Sequence, residues 1–178
     1  MGLDNVAVHW PRTGRFYDPV APAEFVDFGE IVDLPRISAP TAALAEHIAK
    51  TGTVRATAYT ELVDLLLGLE NVLYATENAA EDEDPVIDPD GCAWIAGGIE
   101  RFVAGHRPHG ETVTFDSVST VLRGLLEQQL RWLDTRLDGL RDENGDPPQW
   151  DFTCAELGVL AAFYRRCADR GFAVYADA

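Results

Sequence analysis

The sequence predicts a mostly helical α+β domain, with four or five helices packed like a bundle and a small sheet joining the chain ends. Apolar residues recur at helical spacing through the middle of the chain. Five prolines in the first forty residues exclude a long helix there. A chain of 178 residues suits one core. We therefore expect a single domain, 1–178: irregular with short strands over 1–39, helical over 40–171, and a closing strand over 172–178.

Two short segments near the chain ends have strand character. "NVAVHW" (Asn5–Trp10) alternates apolar and other residues, and "FAVYA" (Phe172–Ala176) has a similar valine and aromatic content. We predict that they pair. A two-stranded ribbon is marginal in water, so it must also pack on the helices. "EFVDFGEIVDL" (Glu24–Leu34) predicts a further short strand or two around Gly29.

Five helices follow from apolar spacing and from start and stop signals. "TCAE" places Thr153 at an N-cap and Glu156 three residues later, which is a capping box. Gly97 and Gly98 lie inside the third helix and favour a close helix crossing or a kink, since each costs about 1 kcal/mol relative to alanine. The predicted helices cover Pro40–Lys50, Tyr59–Glu77, Cys92–Gly105, Asp116 to about Arg141, and Thr153 to Gly171.

The formal net charge is −16, and Lys50 is the only lysine. Such a field repels phosphate backbones and anionic membranes, so it favours a basic protein partner over nucleic acid or membrane. Solubility or adaptation to high salt would explain the same charge without a partner. "MGLDNVAV" lacks the features of a secretory signal, and the longest apolar run, "LVDLLLGL", contains Asp64. We expect a cytoplasmic protein.

The segment "EDEDPVIDPDG" (Glu81–Gly91) carries six carboxylates and could hold a metal, a basic partner or water. An EF-hand loop needs an oxygen ligand at position 1 and glycine at position 6. Placing Gly91 at position 6 puts Val86 at position 1, and placing Gly145 there puts Leu140 at position 1. We therefore predict an exposed loop over Glu81–Asp90, with no metal and no cofactor.

A basic partner would be met by the acidic segments and by a nonpolar anchor. Glu81–Asp90 and Asp138–Asp146 are the best acidic candidates. Trp94 and Trp132 fall outside the apolar stripes of their helices, and either could be an exposed anchor; the alternative is a place at the core or its edge. The predicted partner-binding residues are Asp82, Glu83, Asp84, Asp88, Asp90, Trp94 and Trp132.

Three cysteines, Cys92, Cys154 and Cys167, are an odd number and predict no disulfide framework. Cys92 and Cys154 fall near predicted helix N-termini, where the helix dipole can lower a thiol pKa. His106 or His109 could act as a base for Cys92, and these three could form a zinc site, although no CxxC or HExxH motif supports one. The alternatives are a buried thiol and two solvated loop histidines.

The chain opens "MGLD", and its last helix leads into "FAVYADA". In these two ends it resembles small phage and bacterial proteins that begin Met-Gly-Leu-Asp and close on a short aromatic strand. The resemblance implies a mobile-element or accessory gene and implies no activity.

Two functions follow from the sequence. The first is a non-enzymatic acidic protein that binds a basic protein, in the manner of an immunity protein, an antitoxin-like inhibitor or a phage-borne modulator. The second is a small enzyme that uses Cys92 with His106 or His109. No GxxxxGK[ST] or GxGxxG motif indicates a phosphate-binding loop, and no serine lies in a nucleophile elbow.

Overall fold

The computed structural model describes residues 4–25, 39–51, 53–55, 60–67 and 86–177. Short 3-10 turns occur at Pro22–Phe25, Arg107–His109 and Glu127–Gln129. The α-helices of the described residues are α1 (Ala39–Thr51), α2 (Thr60–Leu67), α3 (Pro89–His106), α4 (Phe115–Leu125), α5 (Leu130–Gly139) and α6 (Cys154–Arg170). The strands are β1 (Asp4–His9), β2 (Thr53–Arg55), β3 (Val86–Ile87), β4 (Thr112–Val113), β5 (Phe152–Thr153) and β6 (Phe172–Asp177).

The two ends of the chain pair in one antiparallel sheet. β1 lies beside β6 in a register that sets Asp4 opposite Asp177 and His9 opposite Phe172. β2 adds to β1 and β3 adds to β6, so the strand order is β2-β1-β6-β3. The predicted pairing of the terminal strands is confirmed, and four strands rather than two relieve the weakness of an isolated ribbon. β4 and β5 form a separate short ladder.

The centre of the molecule is the packed pair α3 and α6, and the other elements cover it. β6, α2 and α4 contact α3, while α1 contacts α6. Gly98 of α3 is buried, and a side chain at Gly97 would approach Arg165 of α6. α3 is continuous through both glycines, and the expectation of a close crossing or a kink stays a prediction. Fully buried residues of these two helices include Ile95, Ile99, Phe102, Leu157 and Leu160.

The predicted capping box of the last helix is confirmed. Thr153 accepts a hydrogen bond from the Glu156 backbone N–H, and the Glu156 carboxylate accepts one from the Thr153 N–H at 2.7 Å. The helix ends where Gly171 takes a φ of 69°, a left-handed conformation that glycine adopts without steric cost. α6 therefore begins and ends where the sequence predicts.

The prediction that the fourth helix is continuous is wrong. A 3-10 turn at Glu127–Gln129 divides it into α4 and α5, and Arg123 of α4 forms an ion pair with Asp134 of α5 across the break. Its N-cap is Thr114 rather than Asp116. The break raises the helix count among the described residues to six.

Two further boundaries differ from the predictions. The region predicted as a loop before the third helix contains β3, and α3 begins at Pro89 rather than at Cys92. Pro22–Phe25 is a 3-10 turn, so the predicted strand does not begin at Glu24. The rest of that strand and the second half of the helix predicted over Tyr59–Glu77 lie outside the described residues. No described helix is both long enough and apolar enough to cross a membrane.

Candidate functional site

The acidic segment ends in regular structure. Asp88 is the N-cap of α3, where its Oδ1 accepts a hydrogen bond from the Gly91 N–H at 2.7 Å. Asp90 lies in the first turn of α3 and is exposed. The prediction of an exposed loop over Glu81–Asp90 is therefore wrong for Val86–Ile87 and Pro89–Asp90, which lie in β3 and α3, although Asp88 and Asp90 are exposed as predicted. Asp82, Glu83 and Asp84 lie outside the described residues.

Of the two tryptophans predicted as anchors, Trp94 is the exposed one. It lies on α3 one turn after Asp90, and 41% of its surface is exposed. Trp132, on α5, is partly buried against the core, and the Arg136 guanidinium lies 5.8 Å from its ring centre. Asp88, Asp90 and Trp94 are thus grouped at the N-terminal end of α3, while Trp132 belongs to a different helix.

The second acidic segment, Asp138–Asp146, forms a structured turn. Asp142 Oδ1 accepts hydrogen bonds from the backbone N–H groups of Asn144 and Asp146, each at 2.8 Å. The Nε atom of Arg141 lies 3.9 Å from Oδ1 of Asp138, and the Arg141 guanidinium packs over the ring of Phe115. The segment is exposed, but the carboxylate of Asp142 is already hydrogen-bonded to backbone N–H groups of the same segment.

Many basic side chains of the described residues already contact groups of the same chain. Those residues include 13 of the 14 Lys and Arg but only 21 of the 30 Asp and Glu. Carboxylates contact the cations in the pairs Lys50–Glu46, Arg123–Asp134, Arg141–Asp138 and Arg165–Glu100. The guanidinium groups of Arg12, Arg15 and Arg136 lie over aromatic rings. The described surface therefore presents an excess of carboxylates.

Cys92 does not meet the histidines predicted to serve it. It lies in the first turn of α3 and His106 is the last residue of the same helix, which separates them by about 21 Å along the axis. Cys92 is fully buried, and its thiol lies 3.6 Å from the carbonyl oxygen of Ile87. Burial, with the nearby carboxylate of Asp88, raises the pKa of Cys92 to about 12. The hypothesis that pairs Cys92 with His106 is wrong in its geometry.

His106 lies beside Cys154 instead. The Nδ1 atom of His106 is 3.2 Å from the Cys154 sulfur and 3.0 Å from the carbonyl oxygen of Gly110. Its Nε2 atom is 2.7 Å from the Ser117 hydroxyl. His106 is fully buried, so the expectation of a solvated loop histidine is wrong for it, whereas His109 is exposed.

Two neutral tautomers of His106 fit its contacts. With the proton on Nε2, the Ser117 hydroxyl accepts from Nε2–H and donates to the Thr114 carbonyl oxygen at 2.9 Å, which leaves Nδ1 as an acceptor that faces the Cys154 thiol. With the proton on Nδ1, the Gly110 carbonyl oxygen accepts from Nδ1–H at 3.0 Å and the Ser117 hydroxyl donates to Nε2. The doubly protonated ring can donate to both oxygens.

Cys154 is the first residue of α6, and the segment after α3 covers it. The Glu111 carbonyl oxygen accepts from the Cys154 N–H at 2.9 Å, and the Glu111 carboxylate accepts from the Ala155 N–H at 2.7 Å. Burial raises the pKa of the Cys154 thiol, the negative charge of Glu111 raises it further, and the positive charge of Arg107 opposes them. The resting form is therefore the thiol.

An open groove lies between α3 and α6, and neither Cys154 nor His106 lines it. Its volume is about 530 Å³. Arg107 borders the groove, as does the Glu100–Arg165 ion pair, whose nitrogen and oxygen atoms are 2.7 Å apart. Small residues form the floor: Val103, Ala104, Gly158, Ala161 and Ala162. The groove therefore combines small apolar residues with the Glu100–Arg165 ion pair, and Arg107 supplies a further positive charge.

The sequence indicated Cys154 only through its place at a helix N-terminus and did not indicate its partner. Ser117 and Glu111 carried no signal that could have identified them. Within the described ranges, His, Cys, Asp and Glu side chains form no cluster of three or more suited to a metal ion, and all three cysteines are free. No family model, no curated protein and no solved structure matches the chain.

Proposed function

We propose that this protein is a cytoplasmic, non-enzymatic interaction protein that binds a basic segment of another protein at the N-terminal end of α3. The observation that carries the proposal is Trp94, a tryptophan 41% exposed one turn from Asp90 on a helix capped by Asp88. An aromatic anchor within an acidic rim is the arrangement expected of a surface that receives a cationic ligand. An immunity protein, an antitoxin-like inhibitor or a phage-borne modulator would use such a surface.

The net charge supports this partner class. With a formal charge of −16 and many of its cations held by its own side chains, the protein attracts basic partners at long range. The field decays over about 8 Å at physiological salt, so it governs the encounter rather than the final contact.

Trp94 supplies the short-range part of the binding energy. Covering the exposed fraction of an indole removes on the order of 100 Å² from water, which is worth roughly 2 kcal/mol. The N-terminus of a helix carries a partial positive charge, but the full negative charges of Asp88 and Asp90 exceed it at this end. A lysine or arginine beside the indole would gain a cation–π contact as well.

The test is surface plasmon resonance against a basic protein that co-purifies from the native host, run across a salt series. We expect Trp94→Ala to speed dissociation at least tenfold, since 1.4 kcal/mol corresponds to a factor of ten. The double variant Asp88→Asn, Asp90→Asn should instead slow association, and asparagine preserves the helix cap at position 88.

The matched control is Asp142→Asn with Asp146→Asn, which removes the same charge from the second acidic segment. An equal decrease of the association rate in both double variants would mean that total charge, and not the end of α3, governs the encounter. Unchanged dissociation in Trp94→Ala would remove the anchor from the proposal.

A small enzyme is the second candidate, and the contact of 3.2 Å between Cys154 and His106 favours it. Here Cys154 takes the place of Cys92 as nucleophile. Turnover requires a substrate to reach a thiol that is 3% exposed in the resting structure. The reactivity of that thiol is therefore the first property to measure.

A further inference from the structure

We infer that Cys154 is a nucleophilic site for small α,β-unsaturated carbonyl compounds, with His106 as its base and the groove between α3 and α6 as the approach. This inference is independent of partner binding at α3, because the pair lies at the C-terminal end of α3, remote from Trp94. It rests on the contacts of His106 and on the position of Arg107.

The hydrogen bonds of His106 suit it to take the thiol proton. In the tautomer with its proton on Nε2, Nε2–H donates to the Ser117 hydroxyl at 2.7 Å, and Nδ1 carries the lone pair 3.2 Å from the Cys154 sulfur. Once Nδ1 is protonated, the Gly110 carbonyl oxygen at 3.0 Å accepts its hydrogen. The imidazolium is thereby hydrogen-bonded on both nitrogens, which stabilises the charged form.

The addition involves only Cys154, His106 and the unsaturated compound. The Cys154 S–H proton moves to His106 Nδ1, and the sulfur forms a bond with the β-carbon of the compound. The carbon–carbon π pair moves to the α-carbon to give an enolate, and the imidazolium returns the proton to that carbon. No oxidant, reductant or leaving group is needed.

Arg107 connects the thiol to the groove. It borders the groove, and its charge acts on Cys154. A guanidinium at this end can bind a carbonyl oxygen and stabilise the developing enolate, while the small residues of the floor leave space for the rest of the compound. Gly110 and Glu111 contact Cys154, so a compound in the groove reaches the thiol only when the segment Arg107–Glu111 is displaced locally.

The experiment uses acrylamide as the probe on the full-length protein, with peptide mass spectrometry to follow each cysteine separately. We expect Cys154 to be modified at least tenfold faster than Cys92 and Cys167 under native conditions. Repeating the reaction at low urea concentrations distinguishes local opening from global unfolding. A Cys154 rate equal to the rates of the other two, or one with the full urea dependence of global unfolding, would overturn the inference.

Two variants test the role of His106. His106→Gln should lower the Cys154 rate at least tenfold, while the matched control His47→Gln, on an exposed imidazole of α1, should leave that rate unchanged. Circular dichroism establishes that both variants fold. If His106→Gln does not fold, Arg107→Gln provides the second test, with an expected several-fold loss. A folded His106→Gln, or failing that an Arg107→Gln, that reacts as fast as the wild type would refute the mechanism.

Discussion

Cys92 and Cys154 occupy similar places in two neighbouring helices and have different surroundings. Each lies in the first turn and is nearly or fully buried, and burial raises the pKa of each thiol. A nearby carboxylate raises each pKa further: Asp88 for Cys92 and Glu111 for Cys154. Only Cys154 has an imidazole within contact distance among the described residues. The comparison teaches that a helix N-terminus does not by itself make a thiol reactive, because burial and a nearby carboxylate can outweigh the helix dipole.

The largest effect is expected from removing the strand that covers Cys92. β6 lies between β1 and β3, and the backbone of its Val174 contacts the Cys92 thiol. Deleting residues 172–178 should abolish cooperative unfolding or lower the melting temperature by more than 10 °C, and Cys92 should then react as readily as Cys154. Thermal unfolding by circular dichroism, with acrylamide labelling, measures both. Removal of Ala178 alone is the control, and an unchanged melting temperature in the longer deletion would contradict the prediction.

Replacing each thiol by a hydroxyl should separate the two sites in stability. Cys92→Ser places a hydroxyl in a fully buried site, where the only oxygen acceptor described is 3.6 Å away, and should cost about 2 kcal/mol. Cys154→Ser should cost less than about 1 kcal/mol, because the hydroxyl can donate to His106 Nδ1. Urea unfolding of both variants gives the difference. Equal losses would show that the contact with His106 does not stabilise the fold.

The helix caps should contribute equally at the two sites. Thr153→Ala removes the cap of α6, and Asp88→Ala removes the cap of α3, so each should lower the free energy of unfolding by about 1 kcal/mol. Thr153→Ser and Asp88→Asn retain a capping oxygen and are the matched controls. A much larger loss at one helix would mean that the caps, and not the imidazole, distinguish the two cysteines.

The smallest effect is expected from neutralising the carboxylate near each cysteine. Glu111→Gln keeps an oxygen for the Ala155 N–H and removes a charge that raises the pKa of Cys154, so acrylamide labelling of Cys154 should become several-fold faster. Asp88→Asn should leave Cys92 unreactive at pH 8, because burial is the main cause of its raised pKa and no base adjoins it. Labelling of Cys92 that rises in parallel with Cys154 would contradict this.

Two parts of the fold could be predicted from the sequence: the start of the last helix and the pairing of the terminal strands. The capping box of Thr153 and Glu156 fixed the start of α6, and the valine-rich termini identified β1 and β6 as partners. The capping box depends on residues that are close together in the sequence, and the strand pair was a choice among few candidate strands. The break between α4 and α5 could not be predicted in this way, since its apolar spacing fits a continuous helix.

By itself the sequence determined the helical class, the terminal strand pair, the acidic charge and the placement of Cys92 and Cys154 at helix N-termini. Only the tertiary structure decided which cysteine meets a histidine. Spacing had assigned His106 to Cys92, but α3 continues from Pro89 to His106 and places the two at opposite ends of one rigid helix. The β4–β5 ladder and the contact of Glu111 with the first turn of α6 then bring Cys154 to His106 from 48 residues away. Contacts across such a separation depend on how the helices pack, which no local pattern encodes.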